Sequence, residues 1–120
     1  DGRPNYDTVS VAMVEQALAK AKLLNNIVVD CSHANSFKKP ELQPLVMADI
    51  VNQVRLGNKS LVGVMIESNI EAGNQSIPAD LSQLKYGCSV TDACVDWDTT
   101  ERMIRDAAIM LRDVLPDRLS

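Results

Sequence analysis

Residues Ile27 to Ser36 read IVVDCSHANS. The run Ile27-Val28-Val29 is β-branched and unbroken, the composition of a strand buried on both faces of a parallel sheet. The stretch then turns polar at once, and its histidine, His33, is the only one in the chain. Parallel α/β proteins place their sites at the carboxyl ends of their strands. A short buried strand, Ile27 to Cys31, that ends in Asp30, Cys31, Ser32 and His33 therefore predicts an α/β fold with chemistry at this rim.

A second stretch of the same kind lies downstream. Leu61 to Ile66, LVGVMI, reads as another buried strand, and it ends in Glu67, Ser68 and Asn69. Helical spacing surrounds both strands. From Thr8 to Leu24, a stripe of Val14, Ala17, Leu18, Ala21 and Leu24 predicts a first helix, ended by Asn25 and Asn26. Pro40 suits the first turn of a second helix, in which Leu42, Val46, Ile50 and Val54 recur until Gly57 stops it. Asn69 to Cys88, with Gly73, Pro78 and Gly87, is a long loop. A last helix is expected from Thr99 to Leu115, capped by Asp98 with Glu101, apolar through Met103, Ile104, Ala107, Ala108, Leu111 and Val114, and closed by Pro116. This order predicts βα units and a parallel sheet.

Composition narrows the function. The 120 residues fit one small domain. They are 46% hydrophobic and 23% charged, which marks a globular chain, while one Trp, two Tyr and one Phe leave the core to aliphatic side chains. A net charge of −4 with no basic stripe argues against a nucleic-acid partner. No apolar run approaches the ~18 residues of a membrane span. Cys31, Cys88 and Cys94 form no closely spaced pair, so they are expected to be free thiols in a reducing cytoplasm, and a structural zinc site is disfavoured. The opening DGRPNY lacks the pattern of a secretory leader and begins in mid-loop, so a piece of a longer protein is expected. Two parallel strands also fall far short of a stable sheet, whereas a (β/α)8 barrel takes about 250 residues.

Strand alternation places Val29, Cys31 and His33 on one face, and Gly63, Met65 and Glu67 on one face. If the strands are neighbours, His33 and Glu67 meet at a common rim. Glu67 follows an apolar run, and carboxylates are rarely buried without a partner or a metal. Asp92 lies in a third polar cluster, Ser89 to Cys94, before the last helix. One imidazole with two carboxylates suits a divalent ion, with Mn, Fe, Co or Zn favoured over Ca. Each residue also has a plainer role: His33 as a hydrogen-bonded loop residue, Glu67 in a salt bridge, Asp92 capping a turn, and the cysteines as core thiols. Lys38 and Lys39 fit either an anion site or a solvated loop. Asn74 and Gln75 fit either a ligand contact or support of their own loop.

Three motifs, DCSHANS, GVMIESNI followed by GNQ, and YGCSVTDAC followed by Trp97, closely resemble class I 3-deoxy-D-arabino-heptulosonate-7-phosphate (DAHP) synthases, above all the bacterial, aromatic-feedback-regulated ones. The resemblance runs from the PNY near the start to the last helix. It implies that residues 1–120 form the C-terminal part of a (β/α)8 TIM barrel, supplying its last two strands, the helix before them and the helices after each. It further implies a cytoplasmic transferase that condenses phosphoenolpyruvate with erythrose 4-phosphate at the start of the shikimate pathway, and a homo-oligomer.

By the same resemblance, a divalent metal is held by the His of DxSH, the Glu of GVMIES and the Asp of TDAC, here His33, Glu67 and Asp92. His33 and Asp92 are the implied catalytic residues, His33 near the phosphoenolpyruvate phosphate and Asp92 near the aldehyde. The family's fourth metal ligand, a Cys near the first barrel strand, has no match in this chain, and neither do its phosphoenolpyruvate-binding Lys and Arg residues. The chain alone is therefore expected to be inactive. Ala72 stands where the family usually has Glu before GNQ. The competing expectation is a non-catalytic α/β module that binds an anion or a partner chain.

Overall fold

The computed structural model describes residues 2–118. Asp1, at the head of the turn-like opening, and the last two residues of the expected domain lie outside them. Helix α1 (Thr8–Lys20) leads to strand β1 (Ile27–Asp30), helix α2 (Gln43–Arg55), strand β2 (Leu61–Met65), a long loop, helix α3 (Trp97–Leu111) and the short helix α4 (Leu115–Arg118). Apart from α4, this is the expected order of helices and strands. β1 and β2 pair in parallel, from Ile27 opposite Leu61 to Asp30 opposite Met65, with one register shift after Ile27. Two further backbone bonds extend the ladder, Ile27 to the Ser60 carbonyl at its start and Cys31 to the Met65 carbonyl at its end, both 2.8 Å.

The core lies on one side of this sheet. Val29, Cys31 and Leu61 pack there against Val46, Met47, Ile50, Val51 and Val54 of α2, with Val11 and Met103 contributed by α1 and α3. The expected stripe of α2 is thus its buried face, extended by Met47 and Val51. The expectation of strands buried on both faces is corrected: Val28 is 63% exposed and Val62 54%. Helices cover only one face of the pair, and nothing among the described residues covers the other.

The helix ends also differ from expectation. α1 stops at Lys20, and its predicted stripe is not its seat, since Val11 is its one buried residue and Leu24 lies 80% exposed beyond it. Only a two-stranded sheet is present to receive the helix, and α2 occupies it. α3 begins at Trp97 because Asp96, not Asp98, caps it by accepting the Thr99 amide proton at 2.8 Å. Glu101 instead pairs with Arg105 one turn on. Ile104 and Ala108 face outward. Pro116 does not close this helix; it sits in the first turn of α4, where its missing N–H costs nothing.

An uncovered apolar sheet face with two unpaired strand edges favours association with further strands. The chain of 13.1 kDa is expected to elute from a sizing column as more than one copy. A single species at the monomer mass with a cooperative thermal transition contradicts this.

Candidate metal centre

Three side chains converge where β1 and β2 end. His33 Nε2 lies 3.1 Å from Glu67 Oε1 and 3.3 Å from Asp92 Oδ2. The three offer ligand atoms that all fall within 4.8 Å of one another. The residues singled out in the sequence are thus brought together in space.

The route to this geometry differs from simple strand alternation. β1 stops at Asp30, and Cys31 turns into the core while the chain enters a turn of 3-10 helix, His33–Ser36. His33 itself takes a left-handed backbone, φ 51°, so it does not share the face of Cys31. Such a conformation is rare for a residue with a Cβ and persists where surrounding contacts determine it. Those contacts are visible. The Lys38 amide donates to the His33 carbonyl at 2.8 Å, and the Asn35 side chain donates to the Asp30 carbonyl at 2.8 Å.

Asp30 is the residue that sequence reasoning passed over. Its Oδ2 lies 2.7 Å from His33 Nδ1, and its Oδ1 accepts from the Ser32 amide and hydroxyl. A carboxylate on Nδ1 fixes the ring's orientation and leaves Nε2 to face the cluster, the arrangement that supports metal-bound imidazoles. The signal was present as an Asp three residues before a lone His. Gln43 was passed over too. Its fully buried amide donates to the Glu67 carbonyl at 3.1 Å and accepts from the Glu67 amide at 3.0 Å. This clamp from the start of α2 holds the ligand-bearing residue after β2. A glutamine at a helix start carries no sequence mark that separates it from a surface residue.

Asp92 arrives on a loop zipped to the β2 exit. Val95 donates to the Glu67 carbonyl and Asn69 to the Val95 carbonyl, each at 3.0 Å. Glu71 donates to the Gly87 carbonyl at 2.8 Å. Gly87 needs to be glycine, because its φ is 76° and a Cβ would lie 2.8 Å from that of Ile70. Ala72, where the usual Glu is missing, is exposed.

The electrostatics suit a cation. The hydrogen bond to Asp30, then the charge of Glu67, raises the His33 pKa above its usual 6.5. Partial burial raises that of Glu67, an effect that the His33 charge partly offsets and the Asp92 charge reinforces. Burial also acts upward on Asp30, but hydrogen bonds from Ser32 and His33 outweigh it and hold the carboxyl low. With Nδ1 engaged by Asp30, an unprotonated Nε2 would turn its lone pair on two carboxylate oxygens. A proton or a metal ion must therefore lie between them. Ligand atoms bound to one ion at about 2.0–2.2 Å sit about 3 Å apart when adjacent, which the two separations from His33 Nε2 match. The residues present fit a divalent ion.

Lys38 turns towards Asp92, with 3.9 Å between Nζ and Oδ1, so half of the basic pair borders the cluster. The three cysteines are free. Burial pushes the Cys31 thiol up to about 12 and raises that of Cys94 as well, so both remain protonated core thiols at neutral pH.

The model of the DAHP synthetase I family matches residues 1–105. The chain belongs to the DAHP synthetase I family. It is 44% identical over 117 residues to a Tyr-sensitive phospho-2-dehydro-3-deoxyheptonate aldolase of Enterobacter agglomerans, covering 98% of this chain and 55% of that protein. It is 47% identical over 103 residues to the Tyr-sensitive enzyme of Escherichia coli, covering 86% of this chain but 29% of that one. The structure of the Francisella tularensis aldolase of the same name superposes with a TM-score of 0.85 at 40% identity, over 92% of this chain and 31% of that chain. The chain thus spans between about a third and about a half of the relatives it matches.

The His33 imidazole is expected to titrate by NMR with a midpoint above 6.5 in metal-free protein, and Asp30→Asn to lower that midpoint, since Asp30 contributes most to the rise. A wild-type midpoint at or below 6.5, or one that Asp30→Asn leaves unmoved, contradicts the assignment.

Proposed function

We propose that residues 1–120 are the C-terminal portion of a (β/α)8 barrel and that the whole protein is a DAHP synthase. Its reaction would join phosphoenolpyruvate to erythrose 4-phosphate at the entry to aromatic amino acid biosynthesis. The observation that carries this reading is the meeting of His33, Glu67 and Asp92 within 4.8 Å, in a chain of this family. The likeness to the Francisella structure supports the barrel, because a parallel pair with one bare face is what a segment of a larger closed sheet presents.

His33, Glu67 and Asp92 would hold a divalent ion, with Mn, Fe, Co and Zn all compatible with one imidazole and two carboxylates. Bound there, the ion supplies Lewis acidity to the aldehyde oxygen of erythrose 4-phosphate. The methylene carbon of phosphoenolpyruvate forms the new bond to the aldehyde carbon. Water adds to the carbon that carries the phosphate ester, and the C–O bond to phosphate is lost. His33, held by Asp30, borders the phosphoenolpyruvate phosphate, Glu67 serves as a ligand, and Asp92 also positions the aldehyde. No helix among the described residues is long and apolar enough to cross a membrane. A cytoplasmic homo-oligomer is part of the same proposal, with the free thiols in keeping with a reducing compartment. Alone, residues 1–120 are expected to be inactive.

The test is a hybrid in which this chain replaces the matching segment of the Escherichia coli relative. The hybrid is expected to consume phosphoenolpyruvate only when erythrose 4-phosphate and a divalent ion are present. His33→Ala should reduce turnover at least about a thousandfold, the scale of losing a group central to the chemistry. A folded hybrid whose rate is unchanged by His33→Ala overturns the reading.

A further inference from the structure

The Gly73-Asn74-Gln75 triplet makes no hydrogen bond to the three converging side chains, yet it organises the loop that carries one of them. Gly73 exchanges both backbone hydrogen bonds with Cys94, at 2.8 and 3.0 Å. The Gln75 amide donates to the Ser89 carbonyl at 2.7 Å. These two attachments fix the ends of residues 89–94 and leave the middle to bulge. Within the bulge, Ser89 and Thr91 bond to each other, which shapes the loop without anchoring it.

One side chain crosses from outside to hold that backbone. Asn74 Nδ2 donates to the Thr91 carbonyl at 2.9 Å. Thr91 immediately precedes Asp92, so this bond fixes the peptide plane that leads into Asp92. Gln75 steadies the approach to the bulge. Its side chain donates to the Lys85 and Cys88 carbonyls, both at 2.9 Å, and accepts from the Lys85 amide at 3.0 Å. Among the described residues, no other side chain outside 89–94 hydrogen-bonds the backbone of residues 90–93.

We infer that Asn74 is a positioning residue for Asp92, holding its carboxylate towards His33 through the Thr91 carbonyl. The inference rests on Asp92 being a metal ligand. It also assigns the second of the two roles open to Asn74 and Gln75 from sequence, support of a loop, and gives that support a consequence at the metal. Asn74 is exposed, so its replacement leaves the core intact.

The test is a double-mutant cycle on Mn2+ binding by the whole chain, followed by the electron paramagnetic resonance of free Mn2+. Wild type, Asn74→Leu, Asp92→Ala and the double variant are compared, with thermal melts recorded for each. Asn74→Leu is expected to weaken Mn2+ binding about three- to tenfold, the scale of one hydrogen bond. In the Asp92→Ala background it should have no further effect. If Asn74→Leu weakens binding equally in both backgrounds, or not at all while Asp92→Ala does, the inference fails. If Asp92→Ala itself leaves binding unchanged, the ligand assignment beneath it fails. Should Asn74→Leu melt early, Asn74→Ala replaces it in the cycle, with the same coupling expected and its absence equally contrary.

Discussion

The parallel pairing of β1 with β2 is the constraint on which the site depends. Parallel strands run out at the same edge, so the residues that follow them emerge together. With Asp30 opposite Met65, the turn at His33 and the extended step to Glu67 begin from adjacent points, and a 3.1 Å contact needs no further long-range arrangement. A slip of one residue would reverse the faces of one strand. It would send Val29 out of the core and Val28 into it. The burial of Val29 against the exposure of Val28 therefore selects the same register that assembles the site.

Two kinds of support then act on the converging side chains. Carboxylate and hydroxyl groups act on His33 directly, through Asp30 and Ser32. A buried side-chain amide and zipped backbone act on the other two: the Gln43 side chain pins Glu67 from the start of α2, and the segment 67–75 pins the Asp92 loop. The hydroxyl contact between Ser68 and Thr100 ties the beginning of α3 to the same strand exit, so α3 and the loop before it are fastened at one place. These supports come with a left-handed backbone at His33, and they leave one imidazole and two carboxylates facing one point.

Much of this was legible in the sequence, for identifiable reasons. The runs at Ile27 and Leu61 stand out because their apolar residues are continuous, and the abrupt polarity after each marks the strand ends. The α2 stripe stands out because that helix packs across the sheet along its length. Other features were hidden by the same physics. The α1 stripe points to no core here, because only Val11 reaches one. The start of α3 depends on which of two nearby aspartates accepts the Thr99 amide proton, and composition does not mark Asp96 over Asp98. The left-handed turn at His33 carries no glycine to announce it. Alternation predicted the meeting of His33 and Glu67, but the two meet because the strand ends early and turns, not because it continues.

The central claim is that His33, Glu67 and Asp92 form one metal centre. Its most direct measurement is anomalous diffraction from crystals grown with Mn2+, recorded above and below the manganese edge. The account predicts a single strong peak bonded by His33 Nε2 and by one oxygen each of Glu67 and Asp92, with Asp30 still on Nδ1. A map with no peak there, or with manganese held by other residues while His33 Nε2 remains on the carboxylates, would contradict it.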